Sequence, residues 1–138
     1  MKYRKLPKGG EMISTLGPGM GGIHQTPPDE IEAVIREAVA NGINFFDLCG
    51  GGAAVYEPFG KAIAEVRDKV YFQLHFGAVY DKEGNYGWSR SLKRIKETFE
   101  WELEKLGTDY VDFGFFHCVD EAKDINDLRE SGIIDFVK

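Results

Sequence analysis

Residues 42–60 read GINFFDLCGGGAAVYEPFG. Ile43 to Leu48 is an apolar run broken only by Asn44 and Asp47, the composition of a strand buried on both faces. Gly50, Gly51 and Gly52 follow as a loop, and a short helix is expected from about Glu57 to Val66. A strand ending in an acid and feeding a glycine-rich turn into a helix is one βα unit of a parallel sheet. Such sheets collect reactive side chains at the carboxyl ends of their strands, which places Asp47 and Cys49 where a reaction would occur.

Toward the N-terminus, Met1 to Ser14 alternates around Pro7-Lys8-Gly9-Gly10 and predicts a β-hairpin. Thr15 to Gly22, TLGPGMGG, is expected as a short barrel strand running into a loop. Pro27-Pro28-Asp29-Glu30 opens a helix with Ile31, Val34, Ile35, Ala38 and Val39 on its apolar stripe, and Asn41-Gly42 stops it.

Toward the C-terminus, Val70 to Phe76 predicts a second buried strand, and Gly77 to Trp88 has the composition of a loop. Its Tyr80, Tyr86 and Trp88 are read as covering a barrel rim, with a place in a substrate pocket as the alternative. Ser89 is expected to cap the longest helix, which runs to Leu106 with Leu92, Ile95, Phe99 and Leu103 inward and Glu97, Glu100, Glu102 and Glu104 on a solvated face. Val111 to Phe116 predicts another strand ending in His117 and Cys118, followed by a helix at Ala122–Arg129 and an apolar tail, Ile133–Val137. Strand and helix alternate after the hairpin. The fold class is therefore α/β: a partial TIM barrel, a (βα)4 parallel sheet behind an N-terminal hairpin, in one domain over 1–138.

The chain has 138 residues, 43% hydrophobic and 29% charged, as in an ordinary globular protein. A formal net charge of -6 disfavours nucleic acid and anionic membranes as partners. Two cysteines, no signal peptide and no apolar run near the ~20 residues of a membrane span lead to the expectation of a cytoplasmic protein.

Seven stretches in order carry a further signal: KYRKLPKGG with TLGPGMGG, GINFFD, FGKAI, RDKVYFQLHFG, LGTDYVDFGFFH and SGIIDF. Together they resemble the aldo/keto reductase family. The resemblance implies the N-terminal part of a (βα)8 barrel that reduces aldehydes and ketones with NADPH or NADH. It also implies a tetrad of Asp, Tyr, Lys and His at strand ends. Asp47 matches the aspartate and His117 the histidine, Gly52 stands where the tyrosine belongs, and His75 replaces the lysine. The expected catalytic residues are thus Asp47, His75 and His117, with Tyr56, one helical turn late, as a substitute donor. Gly19, Met20 and Asp47 are expected beside the nicotinamide of NADP(H), in a cofactor site incomplete within a single chain.

The alternative function is a non-catalytic half-barrel binding module for a small molecule, holding a metal through Asp47, His75 and His117. A four-strand half-barrel exposes edges and an apolar inner face, so a homodimer is expected, either as two halves of a shell or by exchange of the Ile133–Val137 tail.

Overall fold

Asn44, the first polar residue of the 42–60 stretch, anchors the hairpin beneath the sheet. In the computed structural model, which describes residues 1–138, β1 (Tyr3–Lys5) pairs antiparallel with β2 (Met12–Ser14). Asn44 Oδ1 accepts from the Ser14 amide at 2.7 Å, and its Nδ2 donates to the Met12 carbonyl at 2.9 Å. The expected strand at Thr15–Gly22 shrinks to a single parallel bridge between Gly19 and Asp47. Pro18 has no N–H to extend a ladder, and the glycines around it bring no side chains to pack.

Helix α1 (Pro28–Ala40) follows with Asp29 and Glu30 in its first turn. Ile31 and Ile35 are fully buried, whereas Val34, expected on the same stripe, is 60% exposed. At 100° per residue Val34 falls at the margin of the stripe that Ile31, Ile35, Ala38 and Val39 define. Next come β3 (Phe45–Asp47), a 3-10 turn at Ala53–Val55, α2 (Tyr56–Ile63) and β4 (Tyr71–Phe76). The segment expected as a loop after β4 is instead a hairpin, β5 (Ala78–Tyr80) and β6 (Tyr86–Trp88), paired antiparallel. Asp81 closes its turn by accepting from the amides of Glu83 and Asn85 at 3.0 and 2.8 Å.

Helix α3 (Leu92–Leu106) is capped by Ser91 rather than Ser89, because Ser91 stands three residues before the Arg94 amide it accepts from. Its buried face is Ile95, Thr98, Glu102 and Leu106, rotated about 60° from the expected one. Strand β7 (Phe113–Phe116), α4 (Ala122–Glu130) and α5 (Ile133–Val137) complete the chain. Strands β3, β4 and β7 are parallel, with β4 in the centre, so the class read from the sequence is observed.

One core lies between β3–β4 and helices α1, α2 and α3, with Phe59 edge-on to both Phe46 and Phe72 at 5.2 and 5.6 Å. A second joins Phe76, Ile95, Leu128 and Ile133. The tail expected to exchange between copies is α5 here, with Ile133 fully buried and Phe136 edge-on to Phe76 and Phe99 of its own chain. No helix is long and apolar enough to cross a membrane.

Helices α2 and α3 touch at Gly60, where a Cβ would come within 2.4 Å of the Leu106 carbonyl oxygen and 2.7 Å of its carbon. Backbone cannot step aside as a flexible side chain can. Gly60→Ala is expected to cost about 1–3 kcal/mol, read as a lower urea midpoint with an unchanged slope.

Candidate active site

Side chains alternate across a strand, so on β4 Phe72, Leu74 and Phe76 pack toward the helices while Gln73 and His75 take the opposite face. Parallel register sets Asp47 beside Gln73 and His75 beside Phe115, and His117 follows β7 directly. The three residues predicted from strand ends therefore meet. His75 Nε2 lies 3.1 Å from Asp47 Oδ1 and 3.1 Å from the Gln73 amide nitrogen. On its other side His75 Nδ1 is 3.2 Å from His117 Nδ1. The His75 ring stacks on Phe115 at 5.8 Å.

Asp47 also accepts from the Cys49 amide at 3.0 Å, which turns the chain back so that Cys49 Sγ comes 4.0 Å from His117 Nδ1. The Tyr86 hydroxyl reaches His117 Nε2 at 2.5 Å from the β5–β6 hairpin. Arg90 holds the end of β7, donating to the His117 and Cys118 carbonyls at 2.8 and 2.7 Å. Cys118 there has φ +52°, the sole non-glycine residue in the left-handed region.

These contacts divide the charges. Burial pulls the Asp47 carboxyl up, but hydrogen bonds from His75 and the Cys49 amide outweigh it and hold the group below its usual value. The hydrogen bond to Asp47, followed by that to Cys49, raises His75 to about 9. Burial, with the nearby His75 and Arg90 charges, lowers His117. At neutral pH the pair is one imidazolium and one neutral imidazole, and Asp47 balances it.

Tyr56 is not part of this cluster. It is 1% exposed, and its hydroxyl faces the Leu48 carbonyl at 2.9 Å, the Tyr80 hydroxyl at 2.9 Å and Glu102 Oε1 at 2.8 Å. Burial first, then the Glu102 charge, pushes its pKa well above the ordinary phenol range. A side chain with no solvent access cannot meet a substrate, so Tyr56 acts as a post beneath the strand end. Met20 likewise packs in the first core at 3% exposure, whereas Gly19 leaves open space beside Asp47: a Cβ there would meet nothing within 4 Å. The alternative metal set also changes membership. The donor atoms that converge are those of Cys49, His75 and His117, while Asp47 holds the outer nitrogen of His75.

Arg90 and Gln73 are additions to the expected site, and Tyr86, expected at the barrel rim or in a substrate pocket, stands against His117 itself. The turn residues Asp81, Gly84 and Asn85 were the available sign that the segment doubles back and brings Tyr86 to the strand ends. A groove of about 1530 Å³ runs along the outside of the helices past His24, Glu57, Lys61, Asp81 and Lys105, and neither His75 nor His117 lines it. The candidate site lies at the strand ends, where the titratable groups converge.

A parallel βα sheet above an antiparallel hairpin, with an acid and two histidines on neighbouring strand ends, defines the class as part of a βα barrel with its site at the mouth. The description "Aldo/keto reductase family" matches residues 15–136, and the chain belongs to that family. It is 30% identical over 132 residues to an L-glyceraldehyde 3-phosphate reductase of Escherichia coli (strain K12), covering 88% of this chain and 38% of the relative. It is 32% identical over 128 residues to an L-galactose dehydrogenase of Arabidopsis thaliana, covering 87% and 38%. An aldo-keto reductase from Bacillus halodurans in its holo form superimposes with a TM-score of 0.71 at 25% identity, over 97% of this chain and 47% of that one. The chain thus spans well under half the length of these two relatives and about half of the solved structure.

Proposed function

We propose that the mouth of this sheet is a carbonyl-reducing site of the aldo/keto reductase type, acting on an aldehyde or ketone with a reduced nicotinamide cofactor. The carrying observation is the contact between the Tyr86 hydroxyl and His117 Nε2. With His75 donating from Nδ1 to His117 Nδ1, the remaining proton of neutral His117 sits on Nε2 and is given to the Tyr86 oxygen. The hydroxyl hydrogen of Tyr86 is then free to point at a carbonyl oxygen. Tyr86 takes the place of the tyrosine that the family carries where this chain has Gly52.

A reduced nicotinamide held beside Gly19 and Asp47 would supply the hydride for the carbonyl carbon, while the Tyr86 hydroxyl gives its proton to the oxygen and regains one from solvent. Within this chain the residues fit the nicotinamide end alone. Gly19, bridged to Asp47 and open on its side-chain face, leaves room for a flat ring. Membership of the family and the redox names of both relatives support this reading, as do the two free cysteines for a reducing cytoplasm.

Titrating the purified chain with NADPH is expected to give saturable fluorescence quenching and aldehyde-dependent oxidation of the cofactor. Absence of quenching at high micromolar NADPH overturns the reading. The same proposal includes pairing of two copies, because Phe115, 47% exposed, lies on a face that closed barrels enclose. Light scattering is expected to report twice the monomer mass, and a stable monomer at micromolar concentration refutes the pairing.

A further inference from the structure

The hydrogen bonds at the mouth give each histidine an outer and an inner nitrogen. Nε2 of His75 is held by Asp47, and Nε2 of His117 by Tyr86. Both Nδ1 atoms are left aimed at each other, 3.2 Å apart, with Cys49 Sγ 4.0 Å from His117 Nδ1. One donor atom from each of Cys49, His75 and His117 lies within 4.8 Å of the other two.

That spacing has a simple metric. A tetrahedral Zn²⁺ with nitrogens at ~2.05 Å and a thiolate at ~2.3 Å has N–N edges of roughly 3.3 Å and N–S edges of roughly 3.6 Å. The observed 3.2 and 4.0 Å differ from these by a few tenths of an ångström, within side-chain adjustment. Two imidazoles and one thiolate form a borderline-soft set that suits zinc over magnesium or calcium. The surroundings match as well. Metal-binding histidines give their second N–H to a carboxylate or similar acceptor, which fixes ring orientation, and here each histidine has such a partner. Asp47 does this twice over, because the carboxylate that steadies His75 also accepts from the Cys49 amide.

We propose that Cys49 Sγ, His75 Nδ1 and His117 Nδ1 bind a Zn²⁺ ion, with the fourth position open to water or to the oxygen of a small ligand. Binding displaces the proton between the two rings and the proton of the thiol, both of which pass to solvent. Asp47 is a positioning residue and Tyr86 an outer partner. The site stands independently of the reductase reading, since its ligands and its test involve no nicotinamide.

Cobalt(II) is the probe, because a bound thiolate gives it a charge-transfer band. Titrating chelator-treated full-length chain with Co²⁺ is expected to raise that band to a 1:1 endpoint, and Zn²⁺ but not Mg²⁺ should abolish it. Cys49→Ser should remove the band while Cys118→Ser keeps it. Asp47→Asn should keep the band but weaken binding about 10–100-fold. Circular dichroism of each variant reports its folding, and the Cys118→Ser chain serves if Cys49→Ser fails to fold. A band that is absent from the parent chain, that survives Cys49→Ser, or that is lost in Cys118→Ser overturns the site. Reduction of aldehydes by a chain that gives no cobalt band would refute the metal and leave the reductase reading intact. Metal binding without NADPH binding would do the reverse.

Discussion

On the carbonyl-reducing reading proposed above, Tyr86→Phe is expected to lower kcat for aldehyde reduction about 10²–10³-fold, the usual effect of deleting one preorganised donor to a carbonyl oxygen. Stability and NADPH affinity should stay near those of the parent chain. Tyr86 is 41% exposed on a hairpin whose turn is closed by Asp81, so the ring hydroxyl adds little to folding. The phenylalanine keeps the ring and its edge-on contacts to Tyr80 and His117 while removing the only hydroxyl within reach of His117 Nε2. Parallel measurement of Tyr56→Phe separates the two tyrosines. If a buried hydroxyl next to the strand end were the donor, that variant would lose kcat. A Tyr86→Phe chain with parental kcat would remove Tyr86 from the chemistry.

Much of this site was legible because parallel strands repeat a simple rule. GINFFD and FGFFH end on a polar side chain and YFQLHF carries His75 one residue before its end, and this strand-end placement is enough to predict that Asp47, His75 and His117 share one rim. The hairpin that brings Tyr86 to His117 is hidden by composition. Gly77–Trp88 holds only three paired residues on each arm, too few for alternation to register against the glycines and turn formers between them. Tyr56, one helical turn beyond Gly52, is expected as a substitute donor, but its hydroxyl is fixed by the carbonyl of Leu48, a contact across eight residues that no local pattern announces.

Glu102 was misplaced by the assumption that a charged residue on an amphipathic helix faces solvent. Its spacing argued otherwise, since it lies seven residues after Ile95 and four before Leu106, both buried. Charge type outweighed position in that reading. Tertiary context then supplied what the pattern could not, a cluster of hydroxyls and a carbonyl at which an acid can be buried if it keeps its proton.

Stability of the folded chain is expected to fall as pH rises from about 5 to about 8, and Glu102→Gln is expected to remove most of that fall. Glu102 is 4% exposed, and burial, only partly offset by its hydrogen bond with Tyr56, raises it to about 8. The Tyr56 hydroxyl has one proton and donates to the Leu48 carbonyl, while Tyr80 donates to the Gly50 carbonyl at 2.9 Å. Tyr56 has one proton for three neighbours, the Leu48 carbonyl, the Tyr80 hydroxyl and Glu102 Oε1, so a Glu102 that keeps its own proton can donate to the Tyr56 oxygen instead of competing for that one. Between the usual carboxyl value of 4.5 and about 8 the folded chain therefore binds a proton that the unfolded chain has released. Stability is fully present below that range and declines through it, by a total on the order of 4 kcal/mol.

Other groups act in recognisable windows. His75, raised by Asp47, loses its stabilising contribution between 6.5 and about 9, whereas His117, lowered by burial, works in the opposite sense below 6.5. Asp47, lowered by its hydrogen bonds, contributes no slope above pH 5. Subtracting the Glu102→Gln profile from the parent profile cancels all three. Glutamine keeps the shape, donates to the Tyr56 oxygen through its amide and never ionises, so its chain should be the more stable one at pH 8. Urea midpoints at pH 5, 6.5 and 8 for both chains decide the matter. Parallel profiles for the parent and the variant would show that Glu102 is ionised in the folded chain and that the buried cluster is protonated in some other way.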